Sequence, residues 1–221
     1  MSESLLSLLR DDLAQISAAA SHDLADPLRE ALLLLRQSND PALQNAQHRI
    51  QTSLARIQLL RDYSYLSVSN EKPEPLDLHA VLESIRQSYA TQIKQSGAQI
   101  IAGGLPVIPA RRDQLEHLLL QLIKNAIQFN DSATPLLTLS SEEHASYWLI
   151  SLRDNGEGIE PEFHTIVFGL FRRIRDDRPG HGAGLAFCKR IVQLHGGSIG
   201  IESEKGAFTR IVIHWPKQLP L

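Results

Sequence analysis

The spacing of apolar residues in the first third of the chain constrains the fold more than any other feature. Leu6, Leu9, Leu13, Ile16 and Ala20 recur at three- and four-residue steps, followed by Leu24, Leu28, Ala31, Leu32 and Leu35. That period puts them on one face of a helix and predicts a single helix from Leu5 to Gln37. Ser38-Asn39-Asp40-Pro41 then stops and restarts the chain. Asp40 suits an N-cap, and Pro41 suits the first helical position, where a missing N–H is no loss. A second helix is expected to run to Tyr65, with Leu43, Ile50 and Ile57 on its stripe and Ala46, Leu54 and Leu60 filling it. Two helices joined by so short a turn form an antiparallel hairpin. One hairpin cannot bury both stripes, so the expectation is a homodimer in which two hairpins make a four-helix bundle. The alternative is a hairpin packed on the rest of its own chain.

Inside the first helix lies Ser21-His22-Asp23-Leu24-Ala25-Asp26-Pro27-Leu28-Arg29. His22 falls between Ala20 and Leu24 and points off the apolar stripe. A neutral imidazole is a nucleophile near neutral pH, and the adjacent Asp23 carboxylate can orient it and take its proton. Pro27 crowds the Asp23 carbonyl and removes the bond it would accept, which predicts a local bend. Taken alone, a single histidine on a helix reads as a solvated side chain.

Composition excludes several classes. A net charge of -3 gives no electrostatic case for a nucleic-acid partner. Cys188 is the single cysteine, so neither an internal disulfide nor a thiolate metal cluster can form. The histidines show no HExxH or other zinc spacing. The start, Met1-Ser2-Glu3-Ser4, is not a basic leader, and apolar runs such as Ala31 to Leu35 are too short to span a bilayer. A cytoplasmic location without a membrane span is therefore expected.

Ser69-Asn70-Glu71-Lys72-Pro73-Glu74-Pro75 is polar and proline-bearing and reads as a boundary. The expected organisation is a hairpin over 1–69, a linker over 70–75 and a second domain over 76–221. In that domain, helices are expected at Leu78–Gln95, Arg111–Phe129, Phe163–Arg172 and Ala183–His195. Strands are expected at Ala98–Ala102, Val107–Ala110, Leu136–Ser140, Tyr147–Arg153, Ser198–Glu202 and Arg210–Trp215. Helices grouped with a mixed or antiparallel sheet make an α+β two-layer sandwich.

Three motifs in this domain carry chemistry. Gln121-Leu122-Ile123-Lys124-Asn125-Ala126 sits late on an amphipathic helix, with Gln121 and Asn125 one turn apart on a shared face. An amide oxygen there suits Mg²⁺, a hard cation that prefers oxygen. Asp154-Asn155-Gly156-Glu157-Gly158-Ile159 follows a strand directly. Its glycines allow a tight turn beside a flat ligand, and a buried carboxylate at a strand end can accept from an exocyclic amine such as that of adenine. Gly180-His181-Gly182-Ala183-Gly184-Leu185 opens a helix, presenting N–H groups and a positive dipole end to phosphate. Just upstream, Arg172-Arg173-Ile174-Arg175-Asp176-Asp177-Arg178 reads either as a mobile lid whose arginines can meet phosphates or as a solvated loop.

An amide-bearing helix, then D-x-G-x-G after a strand, then G-x-G-x-G-L opening a helix resembles the Bergerat ATP-binding fold. With Ser-His-Asp-x-x-x-Pro-Leu-Arg upstream on a helical hairpin, the chain resembles the transmitter of a two-component sensor histidine kinase. The stretches 184–192 and 195–203 are similar to kinases of the phytochrome-associated type. That resemblance implies that His22 is the phosphoacceptor, with Asp23 holding its ring and acting as base. It implies that Asn125 holds Mg²⁺ against the phosphates of ATP and that Asp154 reads the adenine amine, helped by Thr209. Gln121, Gly156, Gly158, Gly180, Gly182, Gly184 and Leu185 would complete the nucleotide site. It also implies a response-regulator receiver domain as phosphoryl acceptor, and a sensor domain or sensor protein supplying the input.

Several positions depart from the family pattern. Gln121 stands where relatives usually carry Asn, and Gln128 where a lysine is frequent. Asp26 replaces a Thr or Asn one turn after the phosphoacceptor, where a carboxylate would repel an incoming phosphate. Gly206-Ala207-Phe208-Thr209 lacks a second glycine. Gln121, Gln128 and Phe208 motivate the alternative of a non-catalytic dimeric scaffold or phosphotransfer protein with a degenerate nucleotide pocket. The chaperone and topoisomerase branch of the same fold fits less well, because it typically places a Glu where Gln121 stands.

Overall fold

A computed structural model describes residues 23–35, 40–66, 72–175, 178 and 180–218. It divides the chain into two compact units, Met1–Asn70 and Glu71–Leu221. His22 and the first turns of the expected N-terminal helix lie outside the described residues.

In the first unit, residues 23–35 form helix α1, which continues through Pro27 without interruption. Helix α2 spans Pro41–Tyr65. Its start follows the reading of the restart signal: Asp40 is extended, accepts from the Ala42 N–H at 2.8 Å, and precedes proline at the first position. The Gln47 side-chain amide donates to the Leu35 carbonyl and ties the two helices together. Ala25 is buried, but no residue of α2 is. Leu24, Leu33 and Leu34 are 58, 61 and 80% exposed. The described part of the hairpin thus leaves much apolar surface in water.

The second unit begins inside the expected linker. Glu74 and Pro75 already belong to strand β1 (Glu74–Asp77), which pairs antiparallel with β3 (Val107–Ala110). Asp77 caps helix α3 (Leu78–Ser88) by accepting from His79 N–H at 2.9 Å. The helix expected to reach Gln95 breaks at Tyr89 and restarts as α4 (Ala90–Ser96), which ends at the left-handed Gly97. Strand β2 (Gln99–Gly103) does not form a hairpin with β3 across the Gly103-Gly104 turn. It instead joins β4 (Leu136–Glu143) in parallel, with α5 (Arg112–Gln128) in the connection between them. Parallel neighbours need such a crossover.

The main sheet has five strands in the order β2-β4-β5-β7-β6, where β5 is Tyr147–Asp154, β6 is Ser198–Glu204 and β7 is Phe208–Pro216. All pairs except β2–β4 are antiparallel. One face carries Leu137, Leu139, Ile150, Leu152, Ile211, Ile213 and Trp215, all buried. Against it pack Leu115, Leu118, Leu119, Leu122 and Ile123 of α5 and Ala186, Phe187, Cys188, Ile191 and Val192 of α6 (Gly184–Leu194). Strand alternation and helix period thus generate the two layers. The helix expected over Phe163–Arg172 is absent. Two 3-10 turns, Pro161–Phe163 and Ile166–Phe168, stand there instead. Ile166 is 45% exposed, so this stretch has only Val167 buried and no continuous stripe to hold an α-helix on the core.

His195 locks the far end of the helical layer. It is completely buried, its ring lies 4.6 Å from that of Trp215, and Nε2 accepts from the Arg111 backbone N–H at 3.1 Å. Nε2 is therefore unprotonated, and Nδ1 donates to the Ile191 carbonyl at 2.8 Å. Burial holds the pKa of this imidazole below its ordinary value. The unfolded chain then binds the extra proton more readily, so this histidine's contribution is full above about pH 6.5 and is lost as pH falls below it. The expected slope is at most about 1.4 kcal/mol per pH unit. Asp154 contributes with the opposite sign, so urea melts between pH 7 and 5 belong in an Asp154→Asn background. Imidazole ¹⁵N shifts showing both ring nitrogens of His195 protonated at about pH 6 would contradict the locked tautomer.

Candidate functional site

The site is assembled at one end of the main sheet, where β5 stops at Asp154. In the ladder this residue lies between Leu137 of β4 and Thr209 of β7. Its side chain faces the helical layer and is 8% exposed. The carboxylate accepts from the Gly156 N–H at 2.8 Å and from the Thr209 backbone N–H. Burial outweighs these bonds and pushes its pKa up to about 6. A half-satisfied carboxylate in such a place is primed for one further donor.

The loop after Asp154 is held on three sides. Glu157 N–H donates to the Phe129 carbonyl at the end of α5 at 3.0 Å, and the Glu157 carbonyl accepts from Gly206 N–H at 2.6 Å. Ile159 N–H donates to Ser203 Oγ at 2.7 Å. Ser203 spends its own proton on the Phe208 carbonyl at 2.7 Å, so the hydroxyl of Thr209, 3.1 Å away, must donate to it. The approach is so close that side chains are barred. A Cβ on Gly156 would lie 2.5 Å from the Phe129 carbonyl oxygen, and one on Gly158, whose φ is +64°, would lie 1.9 Å from that of Glu204. Asn155 acts differently. Its Oδ1 accepts from Asn130 Nδ2 at 2.9 Å and Leu136 N–H at 2.8 Å, while Nδ2 donates to the Thr134 carbonyl at 3.2 Å. It staples the α5–β4 loop rather than facing a ligand.

The glycine-rich segment runs back along α5. Gly180 has φ +119° and a Cβ there would sit 3.8 Å from Gln128 Nε2. Gly182 has φ +69° and packs on the Arg172 carbonyl, with 2.5 Å left for a Cβ. At Gly184 the same position would be 3.1 Å from Gln121 Oε1 and 3.5 Å from both side-chain polar atoms of Asn125. The amide pair and the start of α6 are thus neighbours. Leu185 follows, half-buried, in the first turn of α6. Phe171 at φ +59° is the single non-glycine in the left-handed region among the described residues, and it turns the chain into the arginine-rich stretch.

The three sequence motifs therefore converge: Gln121 and Asn125 meet Gly184, and the Asp154 loop meets the end of the same helix α5. Asp23 is exposed on α1 of the other unit, and His22 lies outside the described residues. Sequence reasoning did not single out Glu157 or Ser203. Glu157 stood inside a recognised motif as a variable position, and Ser203 on an unremarkable strand gave no signal.

Residues 110–219 match the family model of the histidine kinase-, DNA gyrase B- and HSP90-like ATPases. The chain is similar to cyanobacterial phytochrome A of Nostoc sp. (strain PCC 7120), 31% identical over 208 residues, which is 88% of this chain and 27% of that protein. Similarity to the phytochrome-like protein Cph1 of Synechocystis sp. is 30% over 208 residues, covering 88% of this chain and 28% of the relative. The methanogenesis regulatory histidine kinase FilI of Methanothrix harundinacea is 31% identical over 146 residues, covering 65% of this chain and 16% of FilI. The chain spans about a quarter of the length of the two phytochrome relatives. Among solved structures, full-length ShkA in complex with AMPPNP superposes with a TM-score of 0.66 at 23% identity, over 93% of this chain and 46% of that one. The catalytic domain of histidine kinase ThkA superposes at 0.58 and 20% identity, over 66% and 97% of the two chains. At these identities the shared property is the fold.

Proposed function

Because the chain belongs to the sensor histidine kinase transmitters, we propose that it moves the γ-phosphoryl of ATP onto His22 and then to an aspartate of a separate response-regulator receiver. The observation that carries the ATP half is the buried Asp154 carboxylate, with glycines on the adjoining loop that leave no room for side chains. Its remaining acceptor capacity suits the exocyclic amine of adenine. Thr209 fixes the carboxylate through its backbone N–H. Gly180, Gly182 and Gly184 let backbone N–H groups at the start of α6 face the polyphosphate.

The residues present fit Mg²⁺ brought in with the nucleotide. Asn125 and Gln121 offer neutral amide oxygens beside Gly184, and no cluster of His, Cys, Asp and Glu among the described residues could cage a metal. Asn125 would hold the ion, which when bound supplies charge neutralisation to the phosphates. Gln121 leans on Gly184 and keeps the amide pair against α6. Asp23, next to His22 in sequence, would orient the imidazole and accept its proton while the other nitrogen attacks phosphorus. The exposed Leu24, Leu33 and Leu34 support a second copy of the hairpin as the partner that completes a four-helix bundle. No described helix is long and apolar enough to cross a membrane.

Incubation with γ-labelled ATP and Mg²⁺ tests the reading. The expected product is a label stable to base and labile to acid, absent from His22→Gln and passed to an added receiver domain. Nucleotide binding without any label on wild type would favour the scaffold instead.

A further inference from the structure

Two arginines of the stretch before the glycine-rich segment are held by carboxylates, Arg175 on the surface and Arg178 partly buried. Arg175 donates to Glu157 Oε2, and Arg178 Nη2 donates to Glu157 Oε1 at 2.6 Å and to Asp131 Oδ1 at 2.5 Å. The Glu157 side chain is 13% exposed, and both of its oxygens are taken by guanidinium groups. The Arg178 side chain is 25% exposed, and its Nε–H is buried with no acceptor among the described residues. An orphaned buried N–H costs free energy until an acceptor arrives, even on a guanidinium whose other nitrogens are paired. Two features locate this cluster at the candidate nucleotide site: Glu157 belongs to the loop that starts at Asp154, and Gly180 lies against Gln128 of α5.

We propose that Arg178, aided by Arg175, binds the polyphosphate of the nucleotide, and that Glu157 and Asp131 are placeholders that hold these guanidiniums in position until it arrives. Binding is then an exchange: carboxylate oxygens leave the arginines and phosphate oxygens replace them, with Nε of Arg178 gaining the acceptor it lacks. Guanidinium forks match carboxylate and phosphate equally well, which makes the exchange geometrically cheap. This rests on the reading of the site as one for ATP.

Exchange has a signature that a merely structural ion pair lacks. Ion pairs broken and formed nearly balance, so wild-type affinity for ATP should depend only weakly on salt. In Glu157→Gln the arginines have lost a competitor. ATP should bind about fivefold tighter at low salt, with the gain fading between about 50 and about 500 mM NaCl. Asp131→Asn should do the same to a smaller degree. Arg178→Met should weaken ATP about tenfold. Adenosine, which carries no phosphate, should bind all four proteins alike. The measurement is a calorimetric titration of each protein with ATP and with adenosine across that salt series. Equal ATP affinity and equal salt dependence in wild type and Glu157→Gln would overturn the exchange. Parallel losses of adenosine and ATP in Glu157→Gln would reduce Glu157 to a structural role and overturn it as well. Failure of wild type to bind either ligand would instead remove the nucleotide reading on which it stands.

Discussion

Replacing Asp154 by Asn is expected to weaken nucleotide binding strongly and, in the same protein, to raise the stability of the free second unit. The two effects share one cause. The folded chain holds this carboxyl with a pKa of about 6 against an ordinary value of 3.8. A raised carboxyl pKa means that the stabilising contribution is complete below the unfolded value and is lost as pH rises through about 6. At pH 7 the ionised group therefore costs the free protein about 3 kcal/mol. Asn removes the charge and keeps an oxygen for the Gly156 and Thr209 N–H groups, so a gain of about 1 to 2 kcal/mol in urea melts is expected. The loss is on the ligand side. A charge-assisted bond to the adenine amine is worth about 1.5 to 3 kcal/mol, so ATP and adenosine should both bind about 10- to 100-fold more weakly. Wild-type affinity should likewise fall as pH drops through about 6, because the carboxylate becomes protonated. An Asp154→Asn protein that binds adenosine as well as wild type would remove Asp154 from the purine site.

A methyl group added at Gly158 is expected to be the most damaging small substitution in the site. The position has φ +64°, and the new Cβ would lie 1.9 Å from the Glu204 carbonyl oxygen and 2.6 Å from its carbon. Both partners are backbone, so neither can swing aside. Left-handed strain costs about 1 kcal/mol. Separating the loop from the β6–β7 turn brings the total to about 3 to 4 kcal/mol, and it also displaces Ile159 from Ser203. Gly206 is the internal comparison. It has φ +80° in the same cluster, but a Cβ there meets nothing within 4 Å. Gly206→Ala should therefore cost only the conformational strain, about 1 kcal/mol, and leave ATP affinity near wild type. Equal denaturation midpoints for Gly158→Ala and Gly206→Ala would show that close approach is not what requires glycine at 158.

The helices and the ligand loops were unequally legible. Helices α5 and α6 could be read nearly to their ends because each buries one apolar stripe, and a stripe is a property of local order along the chain. Asp40 and Pro41 marked one boundary through cap chemistry that acts within three residues. Tyr89 was different: nothing local stops the helix there, and the break follows from α3 burying Val81, Leu82 and Ile85 while α4 buries nothing. Strands β2 and β3 were located correctly but not their partners. Strand pairing is a choice among distant segments, and a glycine turn between two strands does not oblige them to pair.

The same division runs through the site. Asp154, Asn125 and the glycines could be named as candidates, because a carboxylate directly after a strand and glycines directly before a helix are local patterns. The order of residues alone determined the amphipathic helices, the capped restart at Asp40, the alternating strands and the three chemical motifs, since each depends on neighbours a few positions apart. Tertiary structure decided which strands lie side by side, the raised pKa of Asp154, the locked tautomer of His195 and the holding of Arg178 by Glu157 and Asp131. Those properties come from desolvation and from charges brought together across tens of residues, and both exist only once the chain has closed on itself.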